Sequence, residues 1–174
     1  MNASIQAIST CLSKYVTFSG RARRPEYWWF FLFVVIGGVV FSVLDSVFFG
    51  GQSEDGIVSQ PLYSLFSILV FLPLLAAGWR RLHDTGRPGW YLLLPLAVSL
   101  AMTVGLLLSI FAFSATGNAS GDPNELGASV AILGLGGMAA AFIVQLVVAI
   151  LMIYWLSRPT QQEENRYGPV PLEP

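Results

Sequence analysis

The amino-acid sequence predicts an all-α membrane protein: four transmembrane helices with both termini cytoplasmic, preceded by a short amphipathic interfacial helix. Three observations carry that prediction. The 174 residues are 55% hydrophobic and only 11% charged, too apolar for a soluble domain that must cover its surface with polar groups. Four long apolar stretches recur along the chain. All nine Lys and Arg residues fall on one side of a membrane if those stretches are spans. Lys14, Arg21, Arg23 and Arg24 precede the first stretch, Arg80, Arg81 and Arg87 separate the second from the third, and Arg158 and Arg166 follow the fourth. The other two connections carry Glu54, Asp55, Asp122 and Glu125 and no cation. Cations beside span ends set orientation toward the cytoplasm.

Residues 4–16 place Ile5, Ile8, Leu12 and Tyr15 on one stripe at helical spacing, so an amphipathic helix on the inner membrane surface is expected. Gly20 is a plausible stop for it. The alternative is a frayed start, because isolated helices this short are marginal in water. Cys11 in this segment reads as a small buried hydrophobe. As the lone cysteine it excludes an internal disulfide and any multi-thiolate metal site.

The first span is read at about 28–49, opened by Pro25 and Glu26, which suit a helix N-terminus. It reaches about 33 Å at 1.5 Å per residue, enough for the hydrocarbon core. It follows no cleavable signal peptide and is expected to act as an uncleaved signal anchor. The others fall at about 62–79, 90–113 and 130–156, with 157–174 as a cytoplasmic tail, and the whole of 1–174 reads as a single integral membrane domain. Pro73 and Pro95 lie inside the second and third spans, where each should kink its helix or free a carbonyl. Asp45 falls about 25 Å along the first span from Trp28. That depth points to snorkelling or capping near the outer interface. Gln145 is expected to hydrogen-bond between helices. In the fourth span, Gly136 with Ala140 and Gly137 with Ala141 put small residues four apart. They allow close helix packing against another span of the chain, the favoured option, or against a second copy.

Trp28, Trp29, Trp79, Trp90 and Trp155 all fall at the expected cytoplasmic ends, where indole sits well among headgroups. Two cytoplasmic segments hold the most specified polar residues. One runs from Phe18 to Trp29 and includes Arg21, Arg24 and Glu26. The other runs from Trp79 to Trp90 and includes Arg80, Arg81, His83, Asp84 and Arg87, with Asp84, Gly86, Pro88 and Gly89 as turn formers. These residues form the candidate site. As a plain polybasic patch they would set topology and attract anionic lipid, at about 1 kcal/mol per cation. As a polar knot, Glu26 and Asp84 would pair with arginines across the two segments, since the planar guanidinium grips a carboxylate or phosphate through two hydrogen bonds. His83 beside Asp84 invites an acid–base role, but adjacent helical positions do not face each other and no nucleophile accompanies them. No catalytic residue, cofactor, metal ligand or nucleic-acid partner is assigned.

The segments Phe18-Ser-Gly-Arg-Ala-Arg-Arg-Pro-Glu-Tyr-Trp and Arg80-Arg-Leu-His-Asp-Thr-Gly-Arg, with the tail Asn165-Arg-Tyr-Gly-Pro, resemble the domain of unknown function 805 family of bacterial inner-membrane proteins. Where that family's hairpin usually carries serine, this chain has Pro88. The resemblance implies a bacterial plasma-membrane protein and brings no activity, substrate or catalytic residue with it. The leading expectation is a non-enzymatic platform whose Arg/Trp-rich cytoplasmic face binds anionic lipid headgroups or a partner protein. The rivals are a small oligomeric transporter or channel, and a lipid-modifying enzyme acting through His83 and Asp84.

Overall fold

A computed structural model of the chain describes residues 3–49, 60–120 and 123–171. Its elements are α1 (Ala3–Ser13), α2 (Arg24–Phe49), α3 (Pro61–Asp84), a 3-10 turn at Gly89–Leu93, α4 (Leu94–Ser120) and α5 (Pro123–Ser157). Four helical segments are long and apolar enough to cross a bilayer: Arg24–Phe49, Pro61–Asp84, Gly89–Phe111 and Gly136–Ser157. The described residues are all-helical apart from one isolated bridge, Asn165 to Gly168. Glu54, Asp55 and Asp122 lie outside them.

Two boundaries differ from the sequence reading, each for a local reason. The second span continues past Trp79 to Asp84, so Arg80, Arg81, His83 and Asp84 occupy the last helical turns instead of a loop. Asp84 is therefore an anchored helical residue, not a turn former. The helix stops at Gly86, whose φ of 74° suits glycine, with Gly86 N–H on the His83 carbonyl and Arg87 N–H on that of Leu82. Pro95 sits in the first turn of α4, where proline costs no intrahelical bond, so it marks a start and not an interior kink. Pro73 is interior to α3. Having no N–H, it leaves the Leu69 carbonyl free, and the Tyr15 hydroxyl donates to it.

The chain forms two compact units, Met1–Leu92 with Trp155–Pro174, and Leu93–Tyr154. In the first, α2 and α3 run antiparallel: Glu26 near the start of α2 meets Arg80 near the end of α3, and Asp45 meets the start of α3. Phe33, Phe41 and Phe66 fill the seam between them. The buried core is Cys11, Tyr27, Phe30, Ala77, Leu82 and Leu156. It lies toward the start of α2 and the end of α3, where α1 packs on both. Elsewhere the helices present large apolar side chains outward, among them Val39, Val47, Ile68 and Phe71, as a lipid-bathed surface requires.

α1 packs on α2 and α3. Its packed face is Ala7 and Cys11, with Ile8 beside the core, whereas Ile5 and Leu12 are exposed. Small residues win the inner face because the helix lies close against α2 and α3.

In the second unit, Ser99 Oγ donates to Gln145 Oε1 at 3.4 Å. Gly136 and Gly137 have open space where a Cβ would stand, and Ala140 is exposed with Ala141 half-buried.

Asp45 neither snorkels nor stands alone. It is fully buried, and its two carboxylate oxygens accept the Leu62 and Tyr63 N–H groups at 3.0 and 2.8 Å. Those are otherwise orphan donors at the start of α3. Asp45→Ala should lower stability by about 1–2 kcal/mol, while Asp45→Asn, also a good cap, should lose markedly less. Thermal unfolding of the detergent-solubilised protein reads the difference.

Candidate functional site

Asp84, at the C-terminus of α3, has no solvent exposure. Its Oδ1 accepts Arg21 Nε at 3.0 Å and its Oδ2 accepts Arg81 Nη1. One carboxylate thus joins the segment before α2 to the last turn of α3. Beside it, Arg80 Nη1 donates to Glu26 Oε1 at 2.8 Å, and Arg80 Nε to the Ala76 carbonyl at 3.3 Å. A backbone bond from Ala22 N–H to the Arg80 carbonyl, 3.1 Å, ties the same two segments. Arg80, Arg81 and Arg21 are all buried. Buried guanidinium is tolerable only when paired and hydrogen-bonded.

The carboxylates satisfy a minority of the donors. Backbone carbonyls of the C-terminal segment take most of the rest. Arg21 Nη1 donates to Glu163 and Gly168 carbonyls at 2.9 and 3.3 Å, and its Nη2 to the Gln161 carbonyl at 2.5 Å. Arg81 Nε donates to the Leu156 carbonyl at 2.9 Å and its Nη2 to that of Arg158. Arg24 Nε reaches the Arg158 carbonyl at 2.7 Å, and Arg23 Nη2 the Pro171 carbonyl. Four arginines therefore hold residues 156–171 against the rest of the first unit. The fork of guanidinium donors makes this possible where a lysine ammonium could not.

His83 completes the clamp. Its Nδ1 lies 3.2 Å from the Gly20 carbonyl, and its ring stacks on Tyr167 with centroids 3.8 Å apart and 4° between planes. Asn165 Nδ2 donates to the His83 carbonyl at 3.0 Å, and Asn165 Oδ1 accepts Tyr167 N–H, shaping the turn that presents the tyrosine. The tail motif Asn165-Arg-Tyr-Gly-Pro is thus a structural counterpart of the arginine segments. Sequence reasoning quoted it for its resemblance and gave it no role; its polar, turn-rich composition next to a cation-rich cluster was the available signal.

Arg24 and Arg87 are placed apart from the two carboxylates. Arg24 is exposed at the start of α2. Arg87 lies over the Trp155 ring, 5.1 Å from its centroid. The tryptophans divide likewise. Trp29 and Trp90 are exposed. Trp28, Trp79 and Trp155 are half-buried and pack inside the protein: Trp28 edge-on to Tyr27 and Phe31, Trp79 edge-on to Phe18, and Trp155 stacked on Tyr91. The Trp79 indole occupies the space a Cβ at residue 89 would need, so glycine is required there.

Cys11 is fully buried next to this cluster, and its Sγ lies 3.7 Å from the Glu26 carbonyl oxygen, as donor. Burial pushes its thiol up to about 12 from 9.0; the Glu26 charge adds to the rise, with Arg80 and Lys14 acting against it.

Membrane-capable helices, an outward apolar surface and an ionic knot at the start of α2 and end of α3 define an integral membrane protein whose polar specificity is concentrated in one place. The chain belongs to the family described as Protein of unknown function (DUF805), matched over residues 15–169. It is 47% identical over 83 residues to the inner membrane protein YhaH of Escherichia coli (strain K12) and 43% identical over 83 residues to the inner membrane protein YhaI of the same strain. Each alignment covers 48% of this chain, and 66% and 64% of those relatives respectively, just under two thirds of their length. No solved structure matches. With its four membrane-capable helices, the chain is an integral inner-membrane protein.

Asp84→Asn keeps the shape and removes the charge shared by Arg21 and Arg81. It should cost about 3–5 kcal/mol, as for other broken buried pairs. Protease cleavage within 158–171 should accelerate before the helices unfold. Cys11 should resist iodoacetamide at pH 8–9 in the folded protein and react on denaturation. Its raised thiol pKa gives a definite pH sign: stability is unaffected below about 9 and falls between 9 and about 12, where the unfolded chain sheds the proton first. Alkylation rates with and without denaturant, and unfolding midpoints across that range, check both.

Proposed function

We propose that this protein is a non-enzymatic inner-membrane platform, with both termini and the arginine knot on the cytoplasmic side, where it binds anionic lipid headgroups. The observation that carries this reading is the division of labour among the cations. Arg21, Arg80 and Arg81 are buried and engaged in holding the fold and its tail, whereas Arg24, whose Nε also meets the Arg158 carbonyl, stays exposed at the rim, where recognition can occur. There, Arg24 with Trp28, Trp29, Phe31 and Leu32 lines an open groove of about 630 Å³. A cation above an aromatic and aliphatic wall suits a phosphate headgroup and the first part of its acyl chain. Exposed Trp90 and the exposed apolar residues Ile5 and Leu12 of α1 extend the same kind of surface.

An enzymatic role for His83 finds no support in its surroundings. Its Nδ1 is on a backbone carbonyl and its face is covered by Tyr167.

The test compares spin-labelled phosphatidylglycerol with phosphatidylcholine at the protein surface in mixed nanodiscs. Wild-type protein should prefer phosphatidylglycerol. Arg24→Gln combined with Trp29→Ala should reduce that preference about fivefold or more, the effect of about 1 kcal/mol per headgroup contact. An unchanged preference, or a C-terminus reached by impermeant label from the periplasmic side, would overturn the proposal.

A further inference from the structure

The carbonyl of Arg158, just past the end of α5, accepts two guanidiniums at once: Arg24 Nε at 2.7 Å and Arg81 Nη2. Both bonds lie within the unit formed by Met1–Leu92 and Trp155–Pro174. Arg81 continues to Asp84, Asp84 to Arg21, and Arg21 to the carbonyls of Gln161, Glu163 and Gly168. Gln161 N–H returns to the Asp84 carbonyl at 3.3 Å. An unbroken run of charge-assisted bonds therefore connects Arg24, on the wall of the headgroup groove, to Gly168 in the tail. Three tail carbonyls hang on the single guanidinium of Arg21, so this part of the tail should open and close as one unit.

Arg24 is only partly used by this run. Its Nη1 and Nη2 have no hydrogen-bond partner among the described residues, and no carboxylate pairs with it there. The guanidinium donors are spread around one rigid plane, so a phosphate can take the Nη donors while Nε keeps the Arg158 carbonyl. Headgroup and tail do not compete for the same N–H. Without an anion, two like charges meet at one neutral oxygen, and the acid beside them, Asp84, is already shared by Arg21 and Arg81. An anion on Arg24 offsets that repulsion.

We infer that residues 158–171 are a latch coupled to the headgroup groove: an anionic headgroup on Arg24 tightens the latch, and an open latch weakens the hold on the headgroup, because Arg24 then loses the carbonyl that orients its guanidinium. This coupling rests on the headgroup reading proposed above and supplies its regulation. Linkage makes the two effects equal in size.

Amide hydrogen exchange of the full chain in nanodiscs, followed by mass spectrometry, tests it. Exchange across 159–168 should be about fivefold or more slower in phosphatidylglycerol discs than in phosphatidylcholine discs. Arg24→Gln should abolish that lipid dependence. The lower pH at an anionic surface acts on both proteins alike, so the comparison cancels it. Tyr167→Ala removes the stack on His83, away from the groove lining, and should speed exchange in both lipids. Once exchange shows its latch predominantly open, its spin-label preference for phosphatidylglycerol should fall by the same factor. An open latch with undiminished preference would show a tail that merely packs, and overturns the coupling. So does wild-type exchange that is indifferent to lipid or faster in phosphatidylglycerol. If Tyr167→Ala fails to fold, the wild-type and Arg24→Gln comparison decides alone. A wild-type preference for phosphatidylglycerol without lipid-dependent exchange sinks the latch and spares the headgroup reading; no preference at all sinks both.

Discussion

A single carboxylate with no solvent exposure, that of Asp84, must neutralise Arg21 on one oxygen and Arg81 on the other. Removing it would leave two guanidiniums without their anion in a space where unpaired charge is strongly unfavourable. That requirement sets the position of the segment before α2, the last turn of α3 and, through the remaining guanidinium donors, the C-terminal segment. The helix end at Gly86 follows from it too, because the chain must turn away immediately after the anchored acid.

The knot gives a physical reason for using arginine at each of these places. A guanidinium has five donors in a rigid plane, so one arm can meet a carboxylate while the others take backbone carbonyls. Arg21 does this across 63 residues to Asp84 and across 142 to Glu163. Carbonyls, being neutral, leave the cluster positively charged overall. The net charge of −1 for the whole chain conceals this local excess.

Away from the knot the molecule follows a different rule. Its spans expose Val, Leu, Ile and Phe because the surrounding solvent is as apolar as a core, and polar groups are confined to caps and isolated bonds such as Asp45 at α3 and Ser99 with Gln145. Packing within the first unit relies instead on local fits: the rings of Phe33, Phe41 and Phe66 along the α2–α3 seam, and the Trp79 indole over Gly89.

The four apolar stretches, the burial of Cys11 and the carbonyl released by Pro73 were all readable along the chain, since hydropathy, side-chain size and the missing proline N–H are properties of a residue and its near neighbours. Partner choice was not. Nothing local distinguishes Arg21 and Arg81, sunk in the fold, from Arg24 on its rim, or Trp79 over Gly89 from exposed Trp90. Those outcomes depend on which segments meet in the fold: the segment before α2 and the last turn of α3 share one buried carboxylate, and their arginines hold the returning tail.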